Sequence, residues 1–192
     1  MADFTYLLRP KVFKDFVGQP HLASDGSSLR RLLENEQMPH SFFYGPPGCG
    51  KTTLARIIAS ELDAPFYEFN ATSLKIEQLR KIFSQYENAL QKPLIFIDEV
   101  HRLAKNQQEV LLPVMENNSA LIIGASTENP YFSLTAAMRS RSMLFELKAH
   151  TDADLRLLAE RACTREELTL DEDALNYLVI SRNGDARSML KL

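Results

Sequence analysis

The chain has 192 residues, of which 45% are hydrophobic and 24% are charged, so a packed globular core is expected. Its formal net charge of −3 argues against a surface that is basic throughout and binds nucleic acid without a local patch. Two cysteines and four widely separated histidines exclude a disulfide framework and give no metal-ligand spacing.

A phosphate-binding loop is predicted between a short strand over residues 41–44 and a helix over residues 53–62. The glycines of its Gly-x-x-x-x-Gly-Lys-Thr sequence let the backbone curl so that successive N–H groups point at phosphate oxygens. Lys51 can place a positive charge on the β- and γ-phosphates, and the Thr52 hydroxyl can ligate Mg²⁺. We therefore expect a nucleoside triphosphate to bind along the whole loop, at Gly45, Pro46, Pro47, Gly48, Cys49, Gly50, Lys51, Thr52 and Thr53.

Strand and helix patterns alternate after residue 40. Short apolar runs predict strands, and apolar residues spaced three and four apart predict helices. Such alternation predicts an α/β fold, in which an open parallel sheet is flanked by helices and binds its ligand at the carboxyl ends of the strands. Further strands are expected at residues 66–69, 94–97, 120–125 and 143–147, and helices at residues 76–90 and 106–116.

The pattern changes near His150. Thr151 is a plausible N-cap for a helix to about residue 166, Asp171 begins another helix, and no strand follows. We therefore divide the chain into a nucleotide-binding domain, residues 1–149, and the start of a helical domain, residues 150–192. The last six residues have apolar spacing without a stop signal, so the natural protein is expected to continue.

Two acidic residues follow the predicted strand over residues 94–97. Asp98 is the expected carboxylate on the metal side. Glu99 is expected nearer the γ-phosphate, where it could polarise the attacking water as a general base. A strand that runs into a solvated acidic turn is the plainer interpretation. The catalytic one is favoured because the pair follows the phosphate loop with a strand between them.

Three weaker signals come from hydroxyls and arginines. Ser126 or Thr127 ends the next strand and could bond the γ-phosphate or the attacking water, although small polar residues commonly end strands. Arg139 and Arg141 precede the last strand, where exposed arginines usually belong to a solvated edge. Arg187 lies at the start of a helix in the second domain and has no evident task by itself.

Beyond the phosphate loop, several short segments form a recognisable set. They are Arg9-Pro10, Phe16-Val17-Gly18-Gln19 with His21-Leu22, Pro39-His40-Ser41, Asp98-Glu-Val-His-Arg102 with Asn106-Gln-Gln108, Gly124-Ala-Ser-Thr-Glu-Asn-Pro130, and Gly184-Asp-Ala-Arg187. In this order they resemble a AAA+ ATPase of the clamp-loader clade, and more narrowly the RarA/MgsA family of replication-associated recombination ATPases. The resemblance covers nearly the whole chain.

The resemblance implies a AAA+ P-loop fold followed by an all-helical lid that is truncated here. It also implies ATP as the nucleotide, with Mg²⁺ held through Thr52 and Asp98. The residues that match the segment wrapped around adenine are Arg9, Pro10, Val17 and Gly18.

Roles for the weaker signals also follow from the resemblance. Ser126, or its neighbour Thr127, matches the first sensor, and Arg187 matches the second sensor, which couples the lid to the γ-phosphate. Arg141 matches the arginine finger that reaches into the site of the next subunit. Arg139 lies two residues earlier, and the sequence does not decide between the two arginines.

The implied function is a Mg-dependent, DNA-dependent ATPase in replication-fork maintenance, recombination and DNA repair, which hydrolyses ATP at the subunit interfaces of a homo-oligomer. Its expected partners are forked, single-stranded or duplex-end DNA and other replication proteins. The alternatives are a clamp-loader ATPase subunit and a nucleotide-gated scaffold without productive hydrolysis. The scaffold is disfavoured because Lys51, Asp98, Glu99 and Arg141 are all present.

One further alternative is a branch-migration motor of the RuvB kind. It is disfavoured because only three residues separate Glu116 from Ala120, too few for a DNA-engaging hairpin.

The sequence shows no sign of a membrane or secretion segment. No apolar run approaches about 18 residues, and the N-terminus lacks a signal-peptide pattern. We therefore expect a cytoplasmic protein with no membrane partner.

Overall fold

A five-stranded parallel sheet forms the centre of the molecule. The computed structural model describes residues 8–191. The strands follow the order β2-β3-β4-β1-β5 across the sheet, and every neighbouring pair is parallel. Their bounds are β1 (His40–Tyr44), β2 (Phe66–Asn70), β3 (Leu94–Asp98), β4 (Leu121–Ser126) and β5 (Ser142–Glu146).

The predicted α/β fold is confirmed, and each strand begins and ends within one residue of its expected position. For the central strand β3 the agreement has a simple cause. Strands that are covered on both faces appear in the sequence as continuous apolar runs, and all four residues from Leu94 to Ile97 are fully buried.

Nine α-helices lie within residues 8–191. They are α1 (Pro20–Ala23), α2 (Ser28–Glu34), α3 (Lys51–Glu61), α4 (Ile76–Tyr86), α5 (Lys105–Asn117), α6 (Ala136–Ser140), α7 (Asp152–Arg165), α8 (Glu172–Ser181) and α9 (Ala186–Met189).

Helices cover both faces of the sheet. Phe42 and Phe43 are consecutive residues of β1, and both are fully buried, but in different apolar clusters. This follows from strand geometry, because successive side chains point to opposite faces. The cluster of Phe43 includes residues of α2 and α3, whereas that of Phe42 includes residues of α4 and α5.

One helix end was predicted wrongly. The periodic pattern extends α4 to residue 90, but the helix ends at Tyr86. Leu90 is fully exposed, so its match to the helical period reflects no burial. Pro93 also disfavours a helical backbone just before it, and β3 begins at the next residue. The helix after the phosphate loop begins at Lys51, two residues earlier than expected.

The chain after β5 is helical up to residue 191, as expected. Helices α7, α8 and α9 share a separate apolar cluster that includes Leu155, Leu175 and Met189. The expected N-caps are confirmed: Thr151 accepts the N–H of Asp154, and Asp171 accepts the N–H of Ala174. Division into domains at residues 149 and 150 stays a prediction, and its outer ends, residues 1–7 and 192, lie outside the described residues.

None of the helices within residues 8–191 is long and apolar enough to cross a membrane.

Candidate active site

A cleft opens at the carboxyl ends of the strands, between the phosphate loop and the helical segment after β5. It brings together parts of the chain that are more than 170 residues apart in sequence. Its lining residues are Leu8, Arg9, Pro10, Phe16, Val17, Pro47, Gly48, Gly50, Lys51, Thr52, Thr53, Asp98, Glu99, Thr127, His150, Leu158, Ala186, Arg187 and Leu190.

The phosphate loop connects β1 to the N-terminus of α3. Gly48 and Gly50 have φ angles of +73° and +101°, in the region that side chains rarely adopt. Gly50 is also the N-cap residue of α3, and a Cβ atom there would lie 2.9 Å from Cζ of Phe16. The curled backbone and the helix N-terminus together favour an anion at this place.

Lys51 is buried beside the loop that precedes it. Its Nζ donates hydrogen bonds to the carbonyl oxygens of Gly45 at 2.7 Å and Pro46 at 2.8 Å. Burial lowers the pKa of Lys51, and the neighbouring Cys49 and Asp98 side chains partly oppose this effect. Gly45, Pro46 and Cys49 lie beside the cleft without lining it.

The two acids after β3 both line the cleft. Asp98 Oδ1 accepts the backbone N–H of Glu99 at 2.9 Å. Glu99 adopts the left-handed conformation, with φ +55° and ψ +39°, which is uncommon for a residue with a side chain. Its Oε2 lies 3.0 Å from Nη1 of Arg102. Such strained residues cluster at functional sites, where the surrounding structure holds them.

The two candidates for the first sensor lie differently at the end of β4. Thr127 is exposed and lines the cleft. Ser126 is only 1% exposed and does not line it. Its Oγ lies 2.9 Å from Nδ1 of His101 and accepts the N–H of Glu128 at 3.0 Å. The sensor role stays a prediction, and its geometry favours Thr127.

Arg187 reaches the cleft from α9. Asp185 caps this helix by accepting the N–H of Ser188 at 2.9 Å. The same carboxylate lies against the phosphate loop, because a Cβ atom on Gly48 would be 1.9 Å from Asp185 Oδ1. The structure therefore brings the predicted second sensor and the phosphate loop together.

The segment before α1 forms another wall of the cleft. Three of the four predicted adenine-binding residues line it, namely Arg9, Pro10 and Val17. The fourth, Gly18, does not line the cleft and lies against His150. A Cβ atom on Gly18 would be 2.8 Å from Nδ1 of His150, a buried residue that also lines the cleft. Burial lowers the pKa of His150, and the nearby carboxylate of Asp154 partly opposes this.

Gln19 joins this segment to the rest of the site. It is buried, with its amide nitrogen 2.6 Å from the carbonyl oxygen of Lys148 and its amide oxygen 2.8 Å from the N–H of Lys148. Sequence reasoning found no role for Gln19 or His150. Their contacts link positions far apart in the chain, so no local pattern could have identified them.

The two arginines before β5 lie outside the cleft. Arg139 donates to the carbonyl oxygens of Tyr131 and Leu134, and its guanidinium stacks on the Tyr131 ring at 4.5 Å. Arg141 is exposed, and its Nη2 lies 2.7 Å from Glu116 Oε1. Arg139 thus holds the loop before α6, while Arg141 is at the surface. A role for Arg141 in a neighbouring site stays a prediction.

The oxygens of Thr52 and Asp98 fit a magnesium ion. Both residues line the same cleft, close to Lys51. Hydroxyl and carboxylate oxygens are ligands that Mg²⁺ prefers, and one or two protein ligands suffice when phosphates supply others.

Comparison with known proteins supports this assignment of the cleft. Residues 41–151 match the ATPase family associated with various cellular activities (AAA). The chain is 36% identical to the replication-associated recombination protein A of Haemophilus influenzae and 34% identical to that of Escherichia coli K12. Each match covers 95% of this chain and 43% of the relative.

Two further matches are a eukaryotic-type relative by sequence and a solved structure. ATPase WRNIP1 of Dictyostelium discoideum is 37% identical over 97% of this chain and 22% of its own length. The structure of the Thermotoga maritima RuvB Holliday junction branch migration motor superposes with a TM-score of 0.81 at 29% identity, over 95% of this chain and 63% of that one.

The chain spans less than half the length of the curated relatives it matches. Within that span, the sequence matches, the fold and the residues that line the cleft all indicate the same family. The chain therefore belongs to the AAA family of ATPases, and the expected resemblance to replication-associated recombination protein A is confirmed.

Proposed function

We propose that this chain binds ATP with Mg²⁺ in the cleft and hydrolyses it, and that it does so on DNA at replication forks in the cytoplasm. One observation carries the hydrolytic part: Lys51, Asp98, Glu99 and Thr127, from three separate segments, line the same cleft at the sheet edge. The names of the relatives support the link to replication and recombination.

The phosphate loop would bind the triphosphate through its backbone N–H groups. Lys51 would exchange its hydrogen bonds to the loop carbonyls for bonds to phosphate oxygens, which also compensate its buried charge. Mg²⁺, held by Thr52 and Asp98, would neutralise charge on the β- and γ-phosphates. The mostly apolar wall of the cleft, which includes Val17, Leu158 and Leu190, is suited to the adenine ring of ATP.

Glu99 would then accept a proton from the water that attacks the γ-phosphate. Its carboxylate must leave Arg102, to which it is bonded, or share that contact with the water. Thr127 would donate a hydrogen bond to the γ-phosphate or the water, and Arg187 would place the lid over the phosphates. These groups act by position and charge, which is what phosphoryl transfer requires.

Arg141 would complete the site of a neighbouring subunit in a homo-oligomer. Its exposed position away from its own cleft supports this role, and its ion pair with Glu116 is a surface contact that costs little to break. Where such fingers have been studied, they raise turnover by about 10³- to 10⁵-fold.

Phosphate release by the full-length protein tests the proposal. Rates are measured with Mg²⁺ or EDTA, and without DNA or with forked, single-stranded or duplex DNA. We expect Mg-dependent turnover that at least one DNA stimulates, and no turnover by Lys51→Ala. ATP binding without turnover under every condition would refute hydrolysis and favour the nucleotide-gated scaffold. A turnover rate that none of the DNA substrates changes would refute only the DNA dependence.

A further inference from the structure

Ser126 and His101 form a part-buried link between the two segments that contain Thr127 and Glu99, at the ends of β4 and β3. Ser126 is the last residue of β4, directly before Thr127. His101 lies in the 3-10 turn Val100–Arg102, directly after Glu99. The 2.9 Å contact between Ser126 Oγ and His101 Nδ1 therefore joins the segment of Thr127 to the segment of Glu99.

The turn of His101 is tied closely to the backbone of Glu99. Arg102 donates its N–H to the carbonyl oxygen of Glu99 at 2.8 Å, and Leu103 donates its own to Val100 at 3.1 Å. Glu99 holds its left-handed conformation at the start of this turn. Because that conformation is unfavourable for glutamate, it persists only where the surrounding structure fixes it. The His101 bond is a side-chain hydrogen bond from this turn to β4, and it adds to the packing of the buried Val100 side chain beside Gly124 of β4.

On the β4 side, the same hydroxyl shapes the backbone around Thr127. Ser126 Oγ accepts the N–H of Glu128 at 3.0 Å, so it bridges the peptide that contains Thr127. This local bond turns the chain as it leaves the strand. The hydroxyl therefore holds two active-site segments at once.

The position of this hydroxyl leaves it no share in nucleotide binding. Ser126 is only 1% exposed and does not line the cleft. With Glu128 donating to Oγ, the hydroxyl proton is available to Nδ1 of His101, which then carries its own proton on Nε2. In this tautomer the oxygen uses its donor and one acceptor lone pair inside the protein.

We propose that Ser126 and His101 are a positioning pair that sets the distance between Glu99 and Thr127, and that neither residue contacts the nucleotide. The proposal rests on the proposed hydrolysis. Loss of the pair lets the Glu99 turn and the Thr127 segment move relative to each other. Because misplacement by about 1 Å can cost about 100-fold in rate, the pair affects turnover much more than binding.

The test compares kcat, KM and the affinity for a non-hydrolysable ATP analogue in the full-length protein. Ser126→Ala and His101→Ala are expected to lower kcat by about 10- to 100-fold with KM and analogue affinity unchanged. The double variant is expected to lose no more than Ser126→Ala alone, because that substitution already removes the contact with His101. Thermal unfolding identifies any variant that does not fold.

A matched pair of variants separates positioning from general loss of structure. Asparagine at position 101 can place a polar atom near the site of Nδ1, whereas glutamine extends to the site of Nε2. His101→Asn is therefore expected to keep most of the kcat, and His101→Gln to behave like His101→Ala.

Three results would overturn the proposal. The first is unchanged kcat in both alanine variants, the second is a raised KM for Ser126→Ala, and the third is equal activity of the asparagine and glutamine variants. Absence of turnover in the unaltered protein would instead refute the proposed function, and the positioning role with it.

Discussion

The carboxylate of Asp185 lies directly against the Cα atom of Gly48. A Cβ atom at position 48 would be 1.9 Å from Asp185 Oδ1 and 3.1 Å from the backbone nitrogen of Ala186. The side chain that caps α9 therefore lies against the phosphate loop and leaves no room for a side chain at position 48. Since Arg187 follows in the same helix, this contact sets how far the predicted second sensor lies from the loop.

Gly48→Ala is expected to abolish ATP binding by pushing α9 away from the loop. The substitution also strains the backbone, because φ at residue 48 is +73°. Gly26→Ala is the matched control: its φ is +76°, but the nearest side-chain atom, of Arg31, is 3.9 Å from the added Cβ. Fluorescent-ATP titration should show binding by the Gly26 variant and none by the Gly48 variant. Equal binding by both would contradict the account.

The central strands β3 and β4 could be predicted from the sequence to within one residue because burial on both faces leaves an unbroken apolar run. The phosphate loop and the pair Asp98–Glu99 could be predicted because their chemistry follows directly on a strand. Long-range contacts could not be predicted. The bond from Gln19 to Lys148 spans 129 residues, and the contact of Ser126 with His101 joins two strands through side chains.

Gln19→Ala is expected to destabilise the folded protein by about 1–3 kcal/mol, because the buried Gln19 side chain makes two part-buried hydrogen bonds, to the N–H and the C=O of Lys148, and both are lost. ATP binding should weaken as well, since Val17 lines the cleft two residues away. Urea unfolding and analogue titration measure the two effects. Gln78→Ala is the control, because its side chain is exposed and accepts one N–H, that of Lys75. A loss no larger than that of the control would show that the Gln19 bonds are unimportant.

Stability is expected to fall with pH below about neutrality because His40 is buried in its neutral form. Its Nδ1 accepts the N–H of Ile122 at 3.1 Å, and Nε2 lies 3.1 Å from the carbonyl oxygen of Met115. Burial lowers the pKa of His40 below its ordinary value of 6.5, which the contact with Met115 partly opposes. The unfolded chain therefore binds the proton more readily, so stability is complete above pH 6.5 and decreases as the pH falls toward the folded-state pKa.

His40→Asn removes this titration while keeping an acceptor for the N–H of Ile122. We expect the variant to be less stable than the unaltered protein at pH 8, where both side chains are neutral. Between pH 7 and pH 5 it should lose less stability, although not none, because burial also lowers the pKa of His150. Urea unfolding at several pH values measures both slopes. Identical slopes would mean that His40 does not contribute.

Replacement of Arg139 is expected to affect stability, whereas replacement of Arg141 is expected to affect turnover. Arg139→Ala should lower the melting temperature, because its guanidinium holds the carbonyls of Tyr131 and Leu134. Arg141→Ala should leave stability and ATP binding nearly unchanged but reduce turnover by about 10³-fold or more.

Mixing inactive subunits tests whether Arg141 acts on a neighbour. Full-length Arg141→Ala and Lys51→Ala proteins are each expected to be inactive. In a mixed oligomer, an Arg141→Ala subunit keeps its phosphate loop, and a neighbouring Lys51→Ala subunit can supply its intact Arg141 to that site. Turnover should therefore return. No recovery in mixtures that demonstrably co-assemble would contradict a role in trans.

Glu99→Gln tests the central claim most directly, because glutamine keeps the shape of the side chain and cannot take a proton from water. ATP affinity and turnover of the full-length variant are measured side by side with those of the unaltered protein. We predict unchanged affinity and a loss of turnover of about 10²- to 10⁴-fold. Turnover at the level of the unaltered protein would contradict the assignment of Glu99 as the base and, with it, the proposed mechanism of the cleft.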